Sequence, residues 1–190
     1  EFYGGKTQQP QAPDAPFLFA GRIIEGKGVF VLAKALEHLD GDIHLQVAIA
    51  GEGRDEDRLQ ERMQEFSTVQ VDFVGRLGAS KLVEKYETAR ALLVPSTTHK
   101  EGNPLVVAEA IYAGTPIIAS DQPPMVESVG DAGMIVEQGN ARELADAIRT
   151  MQVDDEAYAD FRQQAVSRAH LFGYERYRQQ IGKIFGADEP

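Results

Sequence analysis

Apolar positions along the chain alternate between two patterns. Short, mostly continuous apolar runs occur at Phe17–Gly21, Leu45–Gly51, Val69–Gly75, Ala91–Pro95, Pro116–Ser120 and Gly133–Val136. Runs of this length and continuity read as strands buried on both faces of a parallel sheet. Each is followed by apolar residues at helical spacing. Val29, Leu32, Ala33, Leu36 and Leu39 recur at three and four, which gives one buried stripe. Leu82, Val83, Tyr86 and Ala89–Ala91 repeat the pattern, with Ser80 as the expected N-cap. Asn103-Pro104, Leu105–Ala113 and Gly114 read as cap, first-turn proline, helix body and C-terminal glycine. From Asn140 the pattern is helical throughout, with Leu144, Ala147, Ile148 and Met151 on one stripe. Strands alternating with helices predict an α/β fold: a doubly wound, Rossmann-like parallel sheet of about six strands, helices on both faces and a helical C-terminal tail.

Residues 1–16 hold three prolines, two glycines and several glutamines without apolar periodicity, and are expected to be a linker or disordered segment. The remainder, 17–190, is expected to form one domain. The chain opens at Glu1 rather than Met and is read as a piece of a longer protein.

Composition narrows the function. Thirty Asp and Glu against nineteen Lys and Arg give a net charge of −11 over 190 residues. That balance argues against a nucleic-acid partner, which needs clustered cations, but not against a local basic pocket. With no cysteine, disulfides, thiol catalysis and Cys-containing zinc sites are excluded. No apolar run approaches the roughly 20 residues of a membrane span, and the start of the chain lacks a signal-peptide pattern. A cytoplasmic location is expected, with membrane contact only at the inner face and only through another domain.

In open parallel sheets ligands bind at the carboxyl ends of strands, so the loops there carry the chemistry. The first runs Gly21-Arg22-Ile23-Ile24-Glu25-Gly26-Lys27-Gly28. Glycines allow close backbone approach, a helix N-terminus offers N–H groups, and Arg22 and Lys27 add positive charge, which together suit a phosphate or diphosphate. A glycine-rich turn with two solvated cations fits the same spacing. Gly51-Glu52-Gly53-Arg54 lacks the third glycine of a dinucleotide fingerprint, and Asp55 and Glu56 oppose a pyrophosphate, so a turn and helix start are expected there. Gly75-Arg76-Leu77-Gly78 has one cation and lines a ligand or simply turns the chain.

The fourth loop, Pro95 to Glu109, is the most informative. Glu101 precedes a helix start whose first turn exposes N–H groups at Gly102, Asn103 and Leu105, with Pro104 between them. Glu109 lies among Val106, Val107, Ala108, Ala110 and Ile111, where a carboxylate is costly unless hydrogen-bonded or facing a ligand. Two readings stand. Either Glu101 favours the helix dipole and Glu109 marks an exposed strip, or both accept hydroxyl hydrogen bonds from a sugar-like ligand. His38, His44, His99 and His170 show no metal-ligand spacing, and His99 alone falls in a candidate site loop. Neither a P-loop nor a nucleophile elbow is present.

These motifs in this order resemble the C-terminal, donor-binding domain of retaining GT-B-fold glycosyltransferases (glycosyltransferase family 4-like, glycosyl transferases group 1). The matching pieces are Gly21-Arg22-x4-Lys27-Gly28, Ile49-Ala50-Gly51-x-Gly53, Val71-x-Phe73-Val74-Gly75, Pro95-Ser96, and Glu101-x7-Glu109 leading into Gly114-Thr115-Pro116. They span about residues 17–185. The resemblance implies one half of a GT-B fold that binds a nucleotide-diphosphate sugar and transfers a hexose with retention of configuration. Arg22 and Lys27 would hold the diphosphate next to Gly21, and Glu101 would contact the sugar hydroxyls. Backbone around Gly102, Asn103, Pro104 and Leu105 would bind phosphate, Glu109 the ribose, and Arg76 and Leu77 would lie against the base. No metal or other cofactor is implied, and UDP- or GDP-linked hexoses are the implied donors. The acceptor (a glycan, a lipid or a small molecule) would belong to a missing N-terminal domain, without which the piece would be inactive. Phe172, Tyr174 and Tyr177 would return toward that domain or pack on the sheet. Two other classes stay open: a non-catalytic nucleotide-sugar-binding subunit, and half of a GT-B-like epimerase or phosphorylase.

Overall fold

The computed structural model describes residues 12–97 and 105–171. Its centre is a six-stranded, wholly parallel sheet in the order β3-β2-β1-β4-β5-β6. The strands are β1 (Phe17–Ala20), β2 (Leu45–Ala50), β3 (Val69–Gly75), β4 (Leu92–Val94), β5 (Ile117–Ser120) and β6 (Gly133–Val136). Each falls within one or two residues of an apolar run. The helices are α1 (Val29–Glu37), α2 (Glu56–Met63), α3 (Ala79–Thr88), α4 (Leu105–Tyr112), α5 (Pro123–Val129), α6 (Ala141–Val153) and α7 (Asp155–Arg168). A 3-10 turn, Glu25–Lys27, precedes α1, and another, Ala169–Leu171, follows α7.

The continuous apolar runs have a simple cause. Successive strand side chains alternate between faces, and here both faces are covered. Phe17, Phe19, Val47 and Ile49 pack with residues of α1, α2 and α6, whereas Leu18, Ala48, Ala50 and Leu92 pack with residues of α3, α4 and α5. Burying each such large side chain stabilises the fold by about 1.5–3 kcal/mol. Edge strand β3 departs from the rule: Val69 is buried, but Gln70 and Asp72, which share the opposite face, are exposed.

Helix α7 belongs to both layers, with Tyr158 in the first cluster and Ala165 in the second. Two buried arginines pin it. The Arg90 guanidinium lies 3.6 Å from the Tyr158 ring centroid and donates to the Met151 carbonyl at 2.9 Å. Arg162 donates to the Gly114 carbonyl at 3.0 Å, which ties α7 to the end of α4. The chain just before β1 is also held, as Arg90 N–H donates to the Pro16 carbonyl at 2.8 Å.

Among the described residues one helix cap differs from expectation. Ser80 is not the N-cap of α3; Gly78 is, and it has no side chain to donate or accept. The apolar stripe there also overruns the helix, because Ala89 is its extended C-cap and Ala91 already hydrogen-bonds β1 through Leu18. Asn140 does cap α6, accepting from Glu143 N–H at 3.1 Å. Among the described residues, no helix is long and apolar enough to cross a membrane.

Candidate functional site

Strand order reverses between β1 and β4, whose pairing aligns Phe19 with Leu93. A doubly wound sheet opens a crevice at the carboxyl ends of such strands, because the flanking helices leave in opposite directions. Two adjoining clefts lie there. One, of about 250 Å³, is bordered by Gly21, Arg22, Lys27, Ser96, Leu105 and Val106 together with the ends of β1 and β4. The other, of about 430 Å³, lies over β1 and β2 between Arg22, Gly51, Glu52, Arg76, Leu77, Leu82 and Val106. Ala20, Gly21, Arg22 and Val106 border both, so the first loop forms the partition between them.

Charge divides the two clefts. The smaller is lined by two cations, and among the described residues no carboxylate lines it. The larger sets Arg22 and Arg76 around one acid, Glu52, over an apolar floor of Leu77, Leu82 and Val106. In a chain of net charge −11, this is a local reversal of sign.

The first loop owes its shape to its neighbours. Gly21 N–H donates to the Ala50 carbonyl and Ile23 N–H to the Glu52 carbonyl, both at 2.9 Å. The loops approach so closely that a Cβ on Gly51 would stand 1.8 Å from the Gly21 carbonyl oxygen. Gly51 and Gly53 therefore serve loop packing, not a dinucleotide turn. Asp55, only 7% exposed, turns its carboxylate inward and accepts the Glu25 N–H at 2.8 Å. Arg58 also reaches it at 3.3 Å. Its charge, which the sequence sets against phosphate binding, is thus spent on holding the loop that carries Arg22 and Lys27.

From the other side Thr97 donates its N–H to the Gly26 carbonyl at 3.1 Å. Gly28, at φ +75°, allows the start of α1 to press against Pro95, where a Cβ would meet the carbonyl oxygen at 1.7 Å. Beneath, the buried Ser96 carbonyl accepts from Ser120 Oγ at 2.7 Å and from Gln122 Nε2 at 2.8 Å.

Helices α3 and α4 close the side of the larger cleft. Leu82 and Val106 border it, and one turn further along each helix stand Tyr86 and Glu109. The Tyr86 hydroxyl donates to Glu109 Oε2 at 3.0 Å, which satisfies one oxygen of the half-buried carboxylate.

The expected site residues thus sort by place. Gly21, Arg22, Lys27, Arg76, Leu77 and Leu105 all border the paired clefts, and Leu105 stands 58% exposed at the start of α4. Glu109 does not line either cleft but stands one turn beyond Leu105. Glu101, Gly102, Asn103 and Pro104, with His99, Phe172, Tyr174 and Tyr177, lie outside the described residues. Sequence reasoning did not single out Asp55 as a clamp, Ser96, Thr97, Ser120 and Gln122 as loop supports, or Tyr86 as a partner of Glu109. Tyr86 had a signal, but its helical spacing from Leu82 reads as core, and its ring is indeed buried.

Comparison with known proteins identifies the family and the fold. The family model for glycosyl transferases group 1 matches residues 6–168. D-inositol 3-phosphate glycosyltransferase of Corynebacterium glutamicum is 30% identical over 177 residues, covering 88% of this chain and 42% of that protein. The chain thus spans about two fifths of the length of such curated relatives. Sucrose-phosphate synthase from Thermosynechococcus elongatus superposes with a TM-score of 0.75 at 25% identity, over 92% of this chain and 45% of that one. Anabaena HepE, solved in complex with UDP-glucose, superposes at 0.75 with 20% identity, over 92% and 49%. The six-stranded sheet is one half of a GT-B fold, and the chain belongs to the glycosyl transferases group 1 family.

Proposed function

We propose that this chain is the donor-binding half of a retaining glycosyltransferase, which takes a hexose from a nucleotide-diphosphate sugar and works only with an acceptor-binding domain. The observation that carries the reading is the smaller cleft: Arg22 and Lys27 line it at the topological switch point of an otherwise acidic chain. Leu105 and Val106 border the same cleft, so the positive end of the α4 dipole adds positive potential for a diphosphate. The apolar Leu77, Leu82 and Val106 of the adjoining cleft suit a base, with Arg76 in the same lining. A solved relative of the same fold carries UDP-glucose.

In this reading the bond from the anomeric carbon to the diphosphate oxygen breaks, and the acceptor oxygen bonds that carbon from the same face. The acceptor's proton passes to the departing diphosphate. Arg22 and Lys27 stabilise the charge that develops there, and such preorganised electrostatics carry most of the barrier lowering. Glu101 contacts the sugar and Glu109 the ribose. The two cations stand in for a metal, so turnover by the full-length protein is expected to survive EDTA; loss restored by a divalent cation would refute that part.

The first experiment is a thermal-shift titration with UDP, GDP, ADP and their hexose conjugates. A ligand at a hundred times its dissociation constant stabilises by about 2.7 kcal/mol. One nucleotide outperforming the others supports the donor site and names the base. No shift with any of them, in this chain and in the full-length protein, overturns it. Sugar transfer by the full-length protein separates an enzyme from a binding subunit.

A further inference from the structure

Glu109 is useful to a ribose only if its carboxylate is held in one orientation, and the molecule contains a device for that. Tyr86 is fully buried in the cluster formed by one face of the sheet with α3, α4 and α5. Its main chain is fixed as well, since the buried Thr115 hydroxyl donates to the Tyr86 carbonyl at 2.5 Å. From this anchored ring the hydroxyl reaches Glu109 Oε2 at 3.0 Å. A buried tyrosine needs a partner for its hydroxyl, but a nearby main-chain carbonyl would serve that purpose. Here the partner is a half-buried carboxylate one turn from the cleft floor.

We infer that Tyr86 is a positioning residue: its hydroxyl occupies one oxygen of Glu109 and orients the other toward the ribose hydroxyls of the bound nucleotide. This rests on the donor-binding reading of Glu109 given above. An ionised carboxylate offers about four acceptor sites on its two oxygens, so one donor from the protein leaves ample capacity for a diol. A free glutamate side chain must lose rotamer freedom when the ligand binds. One already held by a buried phenol does not, and the saving goes to affinity. The contribution acts through the ribose hydroxyls alone.

That selectivity gives the test. The full-length protein is titrated calorimetrically with whichever of UDP, GDP and ADP binds best, and with its 2′-deoxy counterpart. The unaltered protein is expected to prefer the ribose form by about tenfold or more, as for a hydrogen bond to a charged group. Glu109→Ala should abolish that preference. Tyr86→Phe, which keeps the buried ring, should reduce it about three- to tenfold while changing affinity for the deoxy form less than twofold. In the Glu109→Ala background Tyr86→Phe should change nothing further, because the two act as one unit. A Tyr86→Phe protein that weakens both nucleotides equally, or that keeps the full ribose preference, overturns the inference and returns Tyr86 to packing alone. If instead Glu109→Ala retains the preference, the ribose reading of Glu109 itself fails. No binding by the unaltered protein overturns both.

Discussion

Removing the Asp55 carboxylate separates the forces that hold the loop carrying Arg22 and Lys27. Asp55 accepts the Glu25 N–H at 2.8 Å while only 7% exposed, so this is a charge-assisted bond with little water to replace it. Its loss in Asp55→Ala should cost about 1.5–3 kcal/mol. The ion pairs add less: Arg58 and Arg54 approach at 3.3 and 3.7 Å, but their side chains are 68% and 81% exposed. Pairs so open to solvent contribute about 0–1 kcal/mol. Arg58 also sits 4.7 Å over the Phe30 ring, an exposed cation–π contact of about 0.5–1 kcal/mol.

The expected ordering follows from these sizes. Asp55→Ala should lower the melting temperature by about 3–12 °C, using about 2–4 °C per kcal/mol for a chain of this length. Arg58→Ala should lower it by less, since it keeps the Asp55 bond to the Glu25 amide. The loop released by Asp55→Ala carries Arg22 and Lys27, so nucleotide affinity should fall as well, and more than in Arg58→Ala. Differential scanning calorimetry and calorimetric titration of both variants check this. Equal melting shifts would show that the ion pairs, not the bond to the amide, hold the loop. An unchanged nucleotide affinity in a destabilised Asp55→Ala protein would refute the link from that clamp to the cations.

Three further outcomes are expected. Arg22→Ala in the full-length protein should lose at least tenfold in turnover, in line with about 2–4 kcal/mol for a single transition-state donor; unchanged turnover at saturating donor removes Arg22 from that role. Gly28→Ala should destabilise the chain and distort the first loop, since it combines a left-handed φ of +75° with a Cβ 1.7 Å from the Pro95 carbonyl oxygen, and a wild-type melting temperature would show that the loop has room to yield. Asp40 is held down to a pKa of about 2 by N–H donors of Thr68 and Ser67, against an ordinary 3.8. A lowered carboxyl pKa stabilises the fold above the unfolded value, so this contribution is complete above about pH 5 and fades as pH falls through 4 toward 2. Asp40→Asn should therefore flatten the loss of stability across that window in acid titrations, and an unaltered pH profile would refute the assignment.

Much of the fold was legible because burial on both faces writes strands as continuous apolar runs, and each run at 17–21, 45–51, 69–75, 91–95, 116–120 and 133–136 became a strand. Ends were less legible. Ala89–Ala91 continue the apolar stripe of α3, but Ala91 is buried because it leads into β4, and apolar character alone does not distinguish the two causes. Ser80 has the chemistry of a cap, yet Gly78 already lies in an extended conformation two residues earlier, and the backbone turns there. Helix α5 is too short, at seven residues, for a stripe of its own to stand out.

The site was legible where chemistry is carried by residue type and illegible where it is carried by contact. Arg22, Lys27, Arg76 and Leu105 announce themselves by charge or position in loops at strand ends, and all reach the clefts. Asp55 misleads for a physical reason: a formal charge counted along the chain opposes phosphate at any distance, whereas a carboxylate already accepting the Glu25 N–H and paired with Arg58 presents little of that charge to the cleft. The same screening lets a chain of net charge −11 keep a cleft lined by two cations. Beyond about 8 Å at physiological salt the acidic surface is largely damped, so Arg22 and Lys27 lining a cleft set the local sign. Net charge therefore weighs against a polyanion spread over the surface and says nothing about a small anion at one switch point.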